Sequence, residues 1–150
     1  MNIIGAIVAG LVGTIIISMV MMMAPKMGMP KMAIWEMLGA MFSPEGNVAL
    51  GWVMHLMMGA IFGIIYAALW AAGLGSVSVV SGLIFGVVHW LVAGLMMGGM
   101  PMMHAGIKAG AVSAPGVYML NNGGMKSFMG GLMGHIIFGV VVALVYGLFV

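Results

Sequence analysis

The sequence predicts an all-α integral membrane protein with four transmembrane helices. Three observations predict it. Charged residues make up 4% of the 150 residues and hydrophobic ones 65%, where a soluble domain carries roughly 25% charged residues. Four apolar runs each reach the ~20 residues that a helix needs to cross a bilayer. A pattern also recurs: Gly51, His55, Gly59, Gly63 and Tyr66 return as Gly131, His135, Gly139, Ala143 and Tyr146, 80 residues on at every position. In each set the residues fall on one helix face, since spacings of about four residues bring a side chain back to the same side.

Composition sets further bounds. Mean hydropathy is +1.30. The charges are four lysines and two glutamates, for a net charge of +2, which is no nucleic-acid footprint. Cysteine is absent, which excludes disulfides, thiolate metal sites and cysteine nucleophiles. The N-terminal apolar run lacks a basic leader and a small-x-small cleavage site, so it reads as a retained first span.

In order, the first span is expected at about 3–23, ending at Pro25-Lys26. A long connection follows. Its middle, Pro30 to Phe42, is too short to cross and is expected to lie along the interface as an amphipathic helix. Ser43-Pro44-Glu45-Gly46-Asn47 reads as a turn. The second span is expected at about 48–70, with Trp52 and Trp70 as belt residues near its ends. A short hairpin, Ala71 to Ser76, leads to the third span at about 77–97. A second connection holds Pro101, His104, Lys108, Pro115 and the turn Asn121-Asn122-Gly123-Gly124, before the fourth span at about 128–149.

The recurrence extends to spans one and three, where Gly10 matches Gly86 and Pro25 matches Pro101 at an offset of 76. The chain therefore reads as one membrane domain, 1–150, made by tandem duplication of a two-span unit, repeat 1 at 1–75 and repeat 2 at 76–150. Two spans return the chain to the same side, so a pseudo-two-fold axis along the membrane normal is expected. Lys26, Lys31, Lys108 and Lys126 all lie in or beside the long connections. The positive-inside rule then puts both connections in the cytoplasm and both termini outside.

Lipid gives helices no hydrophobic reason to associate, so small residues that allow close backbone approach mark the contact faces. Those faces are predicted to carry Gly51, Gly59, Gly63 and Tyr66 on span two, Gly131, Gly139 and Tyr146 on span four, and Gly82, Gly86 and His89 on span three. Histidine at membrane depth is a functional signal by default. The plain reading is that His55 and His135 hydrogen-bond within the bundle and fix its register. The sharper one is bis-histidine ligation of haem b by His55 and His135, with glycines clearing space for the macrocycle. Methionine is the other anomaly, with 22 residues gathered at one side of the spans. Met-xxx-Met spacings such as Met19, Met23 and Met27 place thioethers on one face. Thioether with imidazole suits Cu(I), for which His55, His135, His104, Met23, Met27, Met100 and Met103 are the candidate ligands. Otherwise methionine is flexible apolar filler between glycine-rich helices.

Enzymatic chemistry is disfavoured. Glu36 and Glu45 are the only acids and both lie in the first connection. No nucleophile elbow, phosphate loop or His-Glu-x-x-His occurs. The opening MNIIGAIVAGLVGT, the stretch HWLVAGLMMGGMPMMHAG at 89–106 and the closing GHIIFGVVVALVYG resemble an uncharacterised family of small Gly/Met-rich four-span membrane proteins of bacteria and archaea, a domain of unknown function. The resemblance implies four spans and carries no activity, cofactor or catalytic residue.

The expected role is that of a small non-catalytic membrane protein, an accessory or structural subunit of a larger assembly or a homo-oligomer. Its partners would be the bilayer and other membrane subunits or itself, without nucleic acid, and no cofactor is the default. The alternatives are metal handling, by Cu(I) or haem b, and a small transporter with His89 as its mid-membrane polar handle.

Overall fold

The structure is a computed structural model that describes all 150 residues. It contains helices and turns and no strand. Helix α1 spans Ile3–Met23, α2 Ile34–Gly39, α3 Val48–Ala71, α4 Val79–Met97, α5 Ala105–Lys108 and α6 Gly124–Tyr146. Tight 3-10 turns occupy Ala24–Met27, Met100–Met102 and Val117–Asn122. Four helices, α1, α3, α4 and α6, are long and apolar enough to cross a membrane.

Local chemistry fixes the helix starts. Asn2 Oδ1 accepts the Gly5 N–H at 2.9 Å to cap α1, and Asn47 Oδ1 accepts the Leu50 N–H at 3.0 Å to cap α3. At α4, Ser78 Oγ accepts the Ser81 N–H while Ser81 Oγ accepts the Ser78 N–H, a reciprocal capping pair. Helix α6 begins at Gly124, earlier than the pattern of apolar residues predicts, so Lys126 lies in its first turn.

Packing divides the chain into two compact units. Unit I comprises Met1–Val20, Leu56–His89 and Leu132–Val150. Its helices meet backbone to backbone. A Cβ on Gly10 would strike the Gly59 carbonyl oxygen, and one on Gly59 would strike Thr14 and the Gly10 carbonyl oxygen. The same reciprocal contact recurs between Gly82 and Gly139. Gly63 lies on the Ala6 carbonyl and Gly86 on the His135 carbonyl. Around these crossings sits a core of Ala6, Ala9, Tyr66, Ala67, Trp70, Phe138, Val142, Ala143 and Tyr146. Trp70 is buried rather than a belt residue. It stacks on Tyr146 with ring centroids 5.6 Å apart, and its indole N–H donates to Ser81 Oγ at 2.9 Å. Ser81 Oγ in turn donates to the Ser76 carbonyl at 2.6 Å, which closes the turn between α3 and α4.

Unit II comprises Met21–His55 and Trp90–Gly131. It holds all six charged side chains. The first connection departs from the expected interfacial helix. Only Ile34–Gly39 is helical, and Trp35, Met37, Leu38 and Gly39 are buried. The reason is that the second connection packs on it. The Ala105 N–H donates to the Met41 carbonyl at 2.9 Å and the Gly106 N–H to the Ala40 carbonyl at 3.0 Å. A Cβ on Gly51 would collide with the Trp35 carbonyl oxygen, so α3 lies directly on α2. Farther along, Tyr118 adopts a left-handed backbone, φ 53°. There its ring covers Gly94 and packs against Trp90 and Phe128, each at 5.4 Å, and its hydroxyl donates to the Leu91 carbonyl.

Candidate functional site

The four histidines resolve into three environments. In unit I, α4 presents His89 and α6 presents His135. Their rings meet edge to face with centroids 4.6 Å apart and planes at 89°. Tyr66 of α3 places its hydroxyl 3.3 Å from His89 Nδ1. Phe62 stacks on the His89 ring at 3.6 Å, and Phe138 stands edge-on to it at 5.7 Å. This is a phenol–imidazole–imidazole cluster walled by aromatic rings. Gly86 creates it, because the direct seat of α4 on the His135 carbonyl draws the two ring-bearing faces together.

In unit II, His55 is buried, with ring centroids 6.5 Å from Trp35 and 6.2 Å from Trp52. Those two indoles stack at 4.4 Å. His55 is thus an aromatic-cage residue on α3, and the imidazole that meets His135 is that of His89. Pairing His135 with His89 was beyond the sequence pattern, because the 80-residue recurrence relates His135 to His55 and says nothing of which helices touch. The shared face of Gly82, Gly86 and His89 was the signal that pointed to it.

His104 is fully buried. It caps α5: the Ile107 N–H donates to Nδ1 at 3.1 Å. Nδ1 must therefore carry a lone pair, so Nε2 bears the hydrogen and donates to the Met37 carbonyl at 2.8 Å. Both nitrogens are committed, Nδ1 to capping α5 and Nε2 to joining the two connections, and neither is left for a metal in this arrangement.

The candidate thioether ligands face outward. Met23, Met27 and Met103 are exposed, and Met100 is half-buried. So are most methionines of the long helices, among them Met19, Met57, Met96, Met129 and Met133. The buried ones, Met32, Met37 and Met119, belong to the connections. Methionine therefore coats the helices rather than filling the gaps between glycine faces, which backbone already fills.

The other predicted contact residues fall as follows. Gly59, Gly63, Gly82, Gly86 and Gly139 make the crossings of unit I. Gly51 meets α2, and Gly131 lies beneath the Trp90 ring. Tyr146 accepts the Asn2 N–H at 3.0 Å. No carboxylate lies on any of the four long helices, so the helices that build the unit I cluster bring none to it. Such a group can share or relay a proton between phenol and imidazole. It lacks the carboxylate that orients a catalytic base. Comparison with protein families, characterised proteins and solved structures returns no match.

Proposed function

We propose that this chain is a small non-catalytic integral membrane protein, acting as a structural or accessory subunit or as a homo-oligomer. The observation that carries the reading is how unit I spends its inner surface. Glycine backbone meets glycine backbone at Gly10–Gly59 and Gly82–Gly139, and aromatic rings fill what remains. What faces outward on the long helices is large and apolar, including Ile4, Ile15, Val53, Ile61, Val88 and Leu95. That surface suits lipid or a neighbouring subunit and offers nothing to a polar substrate. On this reading both connections are cytoplasmic and both termini external. Of the two glycine crossings, one side fits the tandem duplication and the other lies a helical turn off. They relate Gly59 to Gly139 at the expected offset of 80. They relate Gly10 to Gly82 at 82 − 10 = 72, one helical turn short of the offset that matches Gly10 with Gly86.

The test is mass measurement of the detergent-purified protein by light scattering and native mass spectrometry. A defined oligomer or a co-purifying subunit is expected. A monomer carrying stoichiometric haem or copper overturns the reading in favour of metal handling.

The Tyr66–His89–His135 contact favours a second reading, a small transporter that passes protons through this cluster. Proteoliposomes loaded with a pH-sensitive dye check it. A proton flux abolished by His89→Phe supports it, and impermeable vesicles sink it.

A further inference from the structure

All four lysines belong to unit II. One is neutralised: Lys31 pairs with Glu36 at 2.7 Å, the one ion pair of the chain. Glu45, the other acid, has its carboxylate turned to the Ser43 hydroxyl. Two of the remaining lysines lie on segments that a hydrogen bond joins. Lys26 lies on the turn that follows α1, and Lys126 in the first turn of α6. The Lys126 ammonium donates to the Gly28 carbonyl at 3.1 Å, fastening it to the segment that carries Lys26. The contact is part of a longer seam. Pro30 lies on Gly123, and Met29 and Met32 lie on Gly130. Both lysines are exposed. An ammonium has three donors, so Lys126 keeps two for a ligand.

Their height matters as much as their charge. The apolar segments run Ile3–Met27 and Gly124–Tyr146, so each lysine lies within three residues of a span end. That is the level of the phosphates in a bilayer, where basic side chains attract anionic headgroups. Beside them, Met23, Met27 and Met129 are exposed. Flexible thioethers of this kind adapt to an acyl chain.

We propose that Lys26 and Lys126 bind the phosphodiester headgroup of an anionic phospholipid, with its acyl chains lying on Met23, Met27 and Met129. The proposal rests on the reading of the long helices as membrane spans. The two fail differently: extraction without detergent would remove the span reading, while loss of lipid selectivity alone would remove only this site.

The experiment is native mass spectrometry of the protein released from nanodiscs of phosphatidylcholine doped with phosphatidylglycerol. Wild type should retain phosphatidylglycerol in preference to phosphatidylcholine. At ~1 kcal/mol per lysine near the surface, the preference should fall roughly 5-fold for Lys26→Ala and about 25-fold for Lys26→Ala with Lys126→Ala. Lys31→Ala, at the neutralised lysine, should leave it unchanged. Should the double variant lose its helical circular dichroism, Lys26→Gln and a salt titration of wild type take its place. Equal retention of both lipids by wild type overturns the proposal, as does undiminished retention by the lysine variants. Displacement of the lipid by millimolar inorganic phosphate overturns the lipid assignment and leaves a plain anion site.

Discussion

In unit I the closest contacts are glycine on glycine and ring on ring, and no charged side chain takes part. In unit II every charge of the chain is present, and the decisive contacts run between connections through single side chains such as His104. The difference follows from how each sequence satisfies its backbone. The long helices of unit I pair their own N–H and C=O groups, so close approach costs nothing in hydrogen bonds and small residues set the distance. The connections of unit II have only short pieces of such a ladder, in α2, α5 and the 3-10 turns. The two connections are held to each other by the Ala105 and Gly106 amides on the Met41 and Ala40 carbonyls and by the His104 ring on the Met37 carbonyl. One unit is intolerant of added volume, and the other is intolerant of a lost partner.

The largest effect that tests this contrast is Gly10→Leu. The added atoms meet backbone that cannot swing aside, so a loss of about 3 kcal/mol or more is expected by detergent-based unfolding. Gly134→Leu is its counterpart, since a Cβ there meets nothing within 4 Å, and should change stability by less than about 0.5 kcal/mol. If both variants are tolerated alike, backbone contact does not hold unit I. Gly51 sharpens the comparison, because it uses the device of unit I inside unit II; Gly51→Leu should behave like Gly10→Leu.

Next comes His104→Ala. It leaves the Met37 carbonyl and the Ile107 N–H without their partner. Each orphaned buried group costs ~1–3 kcal/mol, so about 2–4 kcal/mol is expected. Hydrogen exchange should quicken at Ala105, Gly106, Ala111 and Val112 and stay unchanged at Gly59 and Gly63. Uniform acceleration would mean that the two units do not respond separately. Tyr66→Phe removes one hydrogen bond from the histidine cluster and should cost ~1 kcal/mol, with a shift in the His89 ring resonances as its direct sign. Smallest is Lys31→Ala. Its ion pair is open to solvent, with side-chain exposures of 67% and 49%, and should contribute less than ~1 kcal/mol, vanishing with added salt.

Acid offers a further probe of unit II. The Ser43 hydroxyl and a backbone hydrogen bond hold the Glu45 carboxyl below its ordinary pKa. The small stabilisation they provide is present above the ordinary glutamate range and is lost as pH falls through the lowered value. A thermal midpoint that falls in this acid range for wild type, and falls less for Ser43→Ala, is the expected result.

The four long helices could be read from the sequence because length and apolarity decide them without reference to any other part of the chain. The glycine faces were readable for the same reason, since spacing along one helix identifies a stripe. What each stripe meets depends on contacts between helices far apart in sequence. Tyr66 and His89 lie 23 residues apart, and no periodicity within one helix relates them. His104 stood out in the sequence as a candidate ligand, but its bridging role was hidden for a plainer cause. Its value lies in two backbone groups, at Met37 and Ile107, and backbone leaves no mark on a residue pattern. Trp70 misled because a tryptophan near a span end suits a membrane interface, and only Ser81 and Tyr146 reveal that it turns inward.

The bond between Trp70 and Ser81 bears on how the chain enters a membrane. The two residues are separated by only 11 positions, and a loop of that size closes in ~10–100 ns. Synthesis proceeds at ~5–20 residues per second, so several seconds pass between the emergence of α4 and that of all of α6. Within that interval the Trp70–Ser81 contact has time to form. Helices α3 and α4 can therefore enter a bilayer as a pair joined by a short, internally bonded turn, before the last helix has been made.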